Sequence, residues 1–135
     1  MTQKEVNRLS FDIIGYAIEV HKELGPGLLE SIYEKCLAHL LIQNGYKVTR
    51  QQSVPLNFRG LELDCELRYD LLVDDTIVVE LKTVEELIPI HEAQLLTYLK
   101  LLKKQKGILI NFNCTNIFKE GQRTFVTELY RDLPV

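Results

Sequence analysis

The sequence has no apolar run long enough to span a bilayer. That excludes a membrane-spanning helix. Its first ten residues, MTQKEVNRLS, mix Lys4 and Glu5 and hold no apolar stretch of the secretory kind. Cysteine is scarce: Cys36, Cys65 and Cys114 are odd in number, widely spaced and without a CxxC pair. This argues against a disulfide framework or a zinc cluster and predicts reduced thiols in a cytoplasmic protein. There is no internal repeat, linker or low-complexity segment. No excess of basic residues exists either. The net charge is −3, which excludes a generic polycation that holds nucleic acid by charge alone.

What is present fits one domain over residues 1–135, long enough to bury a sizeable core. Apolar residues are 46% and charged residues 26%, an ordinary globular balance. The charge is unevenly spread. Residues 60–92 carry ten acids against two bases, Arg68 and Lys82, whereas the rest carries nine acids against fourteen bases. Two readings stand equally: solvated surface acids, or a cation site in an acidic sheet with basic flanks facing phosphate.

Apolar periodicity predicts a helix over 4–23, with Val6, Leu9, Ile13, Ile14, Ala17 and Val20 on one stripe. Gly25-Pro26-Gly27 breaks it. A second helix is expected from Leu28 to Asn44, its stripe Leu29, Ile32, Tyr33, Cys36, Leu37, Leu40 and Leu41. Strands are expected over 48–60, over the alternating run 61–73, and over 76–82. A third helix over 91–104 follows, then strands over 106–112 and 124–130. The order is α-α-β-β-β-α-β-β, an α/β (α+β) fold with a mixed sheet flanked by helices.

Between the second and third of these strands, Asp74, Asp75 and Thr76 make a three-residue hairpin loop. Val73 then pairs with Ile77, which places Asp70 opposite Glu80. Cβ atoms so placed are roughly 4.5–5.5 Å apart, and like charges there destabilise unless neutralised. Lys82 lies two residues past Glu80 on the same face. A divalent cation such as Mg²⁺ takes oxygen ligands and would neutralise the two acids. Two acids and a lysine suit metal-assisted phosphodiester hydrolysis. The plainer reading is an ordinary charged strand with Lys82 paired to an acid. The apolar run Ile77–Leu81 implies a central strand, where buried acids need partners.

Three motifs stand in order: GLLESIY (27–33), fitting G-x-x-E-x-x-Y; Asp70-x9-Glu80-Leu81-Lys82; and QLLTY (94–98), fitting Q-x-x-x-Y. Together they resemble the GxxExxY proteins, a family of the PD-(D/E)XK nuclease superfamily in its RecB-like branch, over nearly the whole chain. The resemblance implies a restriction-endonuclease-like mixed sheet flanked by helices. It implies Mg²⁺ or Mn²⁺ held by Asp70, Glu80, Glu30 and the Leu81 carbonyl, with Lys82 assisting the attacking water. It points to Gln94 and Tyr98 as residues that arrange the site and the nucleic acid, DNA rather than RNA. A homodimer or a protein partner would supply specificity that so small a domain lacks. Tyr69 stands where the superfamily pattern has proline before the acid.

Single residues carry plainer alternatives. Glu30 is also a first-turn helix acid, favoured by the macrodipole. Tyr33 and Tyr98 are either core aromatics with bonded hydroxyls or substrate contacts. Gln94 reads as a buried amide that needs partners. His91 is a ligand, a proton shuttle or an N-terminal cap. His21 makes a structural hydrogen bond or a site wall, and His39 lies at the surface. Lys100, Lys103, Lys104 and Lys106 form either a phosphate contact or a solvated helix end. The functional expectation is a metal-dependent nuclease. Its rivals are a non-catalytic or partner-dependent binding module with the same fold, and a phosphohydrolase of small nucleotides.

Overall fold

The computed structural model describes residues 1–135. Helix α1 spans Gln3–Leu24. Its start is fixed by a capping box: Thr2 Oγ1 accepts from the Glu5 N–H at 3.1 Å, and Glu5 Oε1 accepts from the Thr2 N–H at 3.2 Å. Helix α2 spans Glu30–Gln43. It starts two residues later than expected, which makes Glu30 its first residue. Its buried face is Tyr33, Glu34, Leu37, Ala38 and Leu41, while Leu29 and Ile32 lie outside. The stripe read from apolar residues alone is therefore rotated. Glu34 turns inward because it finds polar partners there, described below.

Strands β1 (Val48–Arg50), β4 (Leu71–Val73), β5 (Ile77–Lys82), β6 (Lys106–Asn111) and β7 (Gln122–Val126) form a five-stranded sheet in the order β1-β4-β5-β6-β7. A separate two-stranded ribbon joins β2 (Asn57–Phe58) to β3 (Leu61–Glu62). β5 and β6 are parallel, joined by the crossover helix α3 (Pro89–Leu102); the other pairs are antiparallel. Helices α1 and α2 cover one face of the sheet. There Ile13, Ala17, Leu37 and Leu41 pack on Leu71, Val79, Leu81 and Ile110. Helix α3 covers the other face, where Leu95 and Leu99 pack on Leu72, Val78 and Leu109. Gly107 lets α3 sit close: a Cβ there would lie 2.9 Å from the Cδ1 atoms of Leu95 and Leu99. No helix is long and apolar enough to cross a membrane.

Two expectations on strands are corrected. The runs 48–60 and 61–73 are not two long strands. β1 ends where Gln51 takes φ 51°, and the ribbon turns at Arg59 and Gly60, both at positive φ. A second turn follows, with the Glu66 N–H donating to the Leu63 carbonyl at 3.2 Å. The alternation was real, but no layer covers the outer part of this segment, where Phe58 and Leu61 remain exposed; only Leu67 and Tyr69 at its root pack toward α3. The last strand runs over 122–126, not 124–130. A single π-helical turn, Ile117–Gly121, feeds it, and a short helix α4 (Glu128–Arg131) follows. Thr127 ends it by donating its hydroxyl to the Lys104 carbonyl at 2.8 Å.

Candidate functional site

The β4–β5 hairpin has the anticipated register: Val73 faces Ile77, Leu72 faces Val78 and Leu71 faces Val79. One step further sets Asp70 against Glu80. The loop holds because Asp74 and Asp75 both take positive φ (49° and 54°), a conformation Asp adopts more readily than most residues. Asp74 Oδ1 also accepts from the Lys47 N–H at 2.9 Å, and Asp75 pairs with Lys104 at 2.9 Å.

Side chains alternate across β5. Ile77, Val79 and Leu81 enter the α1/α2 core, and Val78 enters the α3 core. Glu80 and Lys82 therefore point to the α3 side, at the end of the sheet nearest the start of α2. Glu80 is buried, with 5% of its surface exposed. Its Oε2 accepts from the Asp70 N–H at 3.2 Å, and the Leu81 N–H donates to Asp70 Oδ2 at 2.8 Å. Burial pushes the Glu80 carboxyl up to about 10; the adjoining Asp70 adds to this, and Lys82 opposes it. Glu30, half-buried, is also raised, first by burial and then by Asp70, with Lys82 again opposing. The three acids and the lysine thus share one electrostatic neighbourhood.

Helix α3 supplies a wall. Tyr98 is buried, and its hydroxyl accepts from Gln94 Nε2 at 3.2 Å. Burial, then the charges of Glu80 and Asp70, raise the Tyr98 phenol. Gln94 itself is exposed, so the expected buried amide is corrected. Its four-residue spacing from Tyr98 on one helix face gives it the partner. His91 acts as a helix cap, its Nδ1 accepting from the Ile88 N–H at 3.2 Å.

Tyr33 lies elsewhere. It has no exposed surface, its ring stacks on Phe112 at 4.4 Å, and its hydroxyl donates to the Gly25 carbonyl at 2.5 Å and accepts from the Leu28 N–H at 3.1 Å. A substrate contact is closed to a side chain so placed; Tyr33 braces the Gly25–Leu28 loop that delivers Glu30. His21 makes a structural hydrogen bond, its Nε2 lying 2.8 Å from the Cys114 carbonyl. His39 is exposed. Of the lysine cluster, Lys104 is held by Asp75 and Lys106 is buried against Asn7.

Sequence reasoning missed the brace behind Asp70. Gln51 donates through Nε2 to Glu34 Oε1 at 2.5 Å and to Asp70 Oδ1 at 3.1 Å. Its own N–H donates to the Asp70 carbonyl at 3.0 Å. Arg50 anchors Glu34 with bonds of 3.1 and 2.9 Å to Oε2. Glu34 as a carboxylate only accepts, so it fixes the Gln51 amide with its nitrogen toward Asp70. The visible signal was Glu34, one turn beyond Glu30. The positive φ of Gln51, a conformation that collects at functional sites, left no mark in the text. Asn111, the register partner of Lys82, was missed too. It pins the loop after β5, accepting from the Val84 N–H at 3.1 Å and donating to the Val84 carbonyl at 2.9 Å.

No three His, Cys, Asp or Glu side chains converge to the spacing of a metal cluster. Asp70 and Glu80 stand against each other across the hairpin, and they fit a hard cation by their chemistry. Each offers carboxyl oxygen, Glu80 is buried, and a cation between them would take the place of the proton that burial and Asp70 keep on Glu80. Mg²⁺ is commonly held by one or two carboxylates with water completing its shell.

A mixed sheet between helices, with two acids and a lysine at the end of its central hairpin, defines the restriction-endonuclease-like class of fold. A family model for the PD-(D/E)XK nuclease superfamily matches residues 7–124, and the chain belongs to that superfamily. Neither a curated protein nor a solved structure matches the chain.

Proposed function

We propose that this chain is a Mg²⁺- or Mn²⁺-dependent nuclease that hydrolyses DNA phosphodiester bonds with little sequence preference of its own. It acts as one domain over residues 1–135 and falls in the GxxExxY family of the RecB-like branch. The observation that carries the reading is the buried Glu80 against the half-buried Asp70, with Lys82 beside them, within the matched superfamily region. Asp70 and Glu80 hold the ion, with the Leu81 carbonyl and Glu30 completing the ligand set. The ion, when bound, lowers the pKa of a coordinated water and offsets charge on the phosphate. Lys82 keeps its ammonium at the phosphate side and orients the attacking water. Gln51 holds Asp70 in place through Oδ1. Tyr98, Gln94 and His91 line the approach for the nucleic acid. The working setting is the cytoplasm, with a second copy or a protein partner adding specificity.

The absence of a three-acid cluster favours one rival: a module that needs a partner to bring Glu30 to the other two acids. The deciding experiment is cleavage of labelled single-stranded DNA, double-stranded DNA and RNA with Mg²⁺ or Mn²⁺, beside a chelator and Lys82→Ala. Metal-dependent cleavage that falls by at least about a hundredfold in Lys82→Ala supports the reading. A folded protein that binds Mn²⁺ yet cleaves nothing refutes it in favour of the module.

A further inference from the structure

The outer face of α1 packs against nothing in the protomer. Lys4, Arg8, Phe11, Gly15, Glu19 and Lys22 are exposed along it, at the three- and four-residue spacing of one helix stripe. Phe11 is 72% exposed, more than any other aromatic of the chain. Gly15 stands in the middle of this helix, where glycine is weaker than alanine. A Cβ there would meet nothing within 4 Å, so the protomer itself does not call for glycine.

Seven and eleven residues past Phe11, Ile18 and Lys22 return to the same stripe, and there the surface is hollow. A pocket of about 300 Å³ opens between α1 and the π-helical turn, its apolar lining Ile18, Ile117 and the exposed Phe118. Ile14 and Ile18, both half-buried, join Phe11 to make one flank of the stripe apolar. The other flank is charged. Arg8 has 80% of its side chain exposed and reaches Asp12 only at 3.6 Å, and Glu19 has no ion pair in its own protomer.

We infer that this face binds a second copy of the chain, with the two α1 helices antiparallel about a two-fold axis beside Ile14. Such an axis keeps each flank on its own side and reverses the helix, so residues about equally far from Ile14 in opposite directions meet. Phe11 then comes against Ile18 of the second copy and enters the pocket there, and the second copy's Phe11 enters this one. The charges select the same direction. Lys4 falls toward Glu23, Glu5 toward Lys22 and Arg8 toward Glu19, each pair of opposite sign and each made twice. A parallel pairing would set each of these residues beside its own kind. Gly15 falls at the crossing, where a missing side chain lets two helices approach to the near end of the usual ~8–10 Å between axes. The candidate nuclease site faces α3 on the other side of the sheet, so both copies keep it open. The inference takes up the second copy of the reading above and names its surface, but borrows nothing from the nuclease chemistry.

The test is sedimentation of the full chain over about 1–100 µM, where small interfaces associate. A dimer should form within this range. Phe11→Glu should weaken it at least about tenfold, as loss of a buried aromatic anchor does. Gly15→Leu should weaken it as much by holding the helices apart. Neither change threatens the fold, since Phe11 is exposed and a side chain at Gly15 meets open space. Arg8→Glu should weaken association about threefold or more, and Arg8→Glu combined with Glu19→Arg should restore it. A monomer at every concentration, a dimer indifferent to Phe11→Glu, or a charge swap that restores nothing would each overturn the inference. A dimer with these responses that cleaves no nucleic acid would leave this surface assigned and sink the nuclease reading. Metal-dependent cleavage by a protein that stays monomeric would do the reverse.

Discussion

Glu80→Gln should make the metal-free protein more stable at neutral pH. Glu80 is buried, and its folded pKa is raised to about 10, against 4.5 for the exposed group. A carboxyl whose folded pKa exceeds its unfolded one favours folding while protonated. That contribution is complete below pH 4.5 and declines as pH climbs toward about 10. At pH 7 the folded protein must still hold a proton that the unfolded chain has released across the interval from 4.5 to 7. At 1.36 kcal/mol per unit this is a loss of about 3 kcal/mol, and it depends only on the folded value lying well above 7. The amide of Gln needs no proton, keeps an oxygen for the Asp70 N–H and can donate to the Asp70 carboxylate. Urea unfolding in chelator should show the parent losing stability from pH 5 to 8 and Glu80→Gln nearly flat. The variant should lead by about 3 kcal/mol at pH 7 and by almost nothing at pH 4.5. Added Mg²⁺ should stabilise the parent and leave the variant unmoved. Parallel pH curves, or a variant less stable than the parent at pH 7, would refute this account of the buried Glu80.

Other outcomes follow from the same contacts. Gly121→Ala should cost about 3 kcal/mol and Gly107→Ala about 1, in thermal or urea unfolding. The Gly121 Cβ would meet the Asn111 carbonyl oxygen at 2.8 Å, whereas that of Gly107 meets leucine methyls that can turn aside. Gln51→Ala should cut turnover about ten- to a hundredfold by freeing Asp70. Gln51→Gly should cut it as much while relaxing the positive φ, and kcat rather than KM should carry the change. Tyr33→Phe should lower stability by about 1–2 kcal/mol in urea unfolding through the lost bonds to Gly25 and Leu28.

The hairpin that pairs Asp70 with Glu80 was legible because strand register follows from a count of residues, and Asp-Asp at its loop tolerates positive φ. The three long helices were legible from their periodicity, though the buried face of α2 was not. The segment from Gln51 to Asp70 was not legible. Its alternation of Leu61, Leu63, Cys65 and Leu67 has the period of a strand, but period alone cannot say whether a layer exists to cover it. Glu34 and Gln51 escaped for a related reason. A buried polar residue is explained by its partners, and Arg50 and Asp70 reach them only through the tertiary fold. Tyr33 was legible as a member of the apolar stripe; of its two readings, the core aromatic with a bonded hydroxyl is the one the structure has.

The central strand Ile77–Lys82 has a consequence for the chain before it is folded. Its parallel partner Lys106–Asn111 follows only after the whole of α3, so during synthesis one edge of β5 stands bare. Ile77-Val78-Val79 and Leu81 would make a sticky edge, of the kind that pairs with other chains. Glu80 and Lys82 interrupt it. While the edge is open both are solvated and charged, and they repel a second copy in register as gatekeeper residues do. Only when β6 and α3 close over them does Glu80 lose its water and become the strained acid of the folded protein. The residues proposed to hold the ion and orient the water are thus also the ones that interrupt the apolar run of the strand. An apolar replacement of Glu80 would trade activity for a firmer core and a less soluble chain.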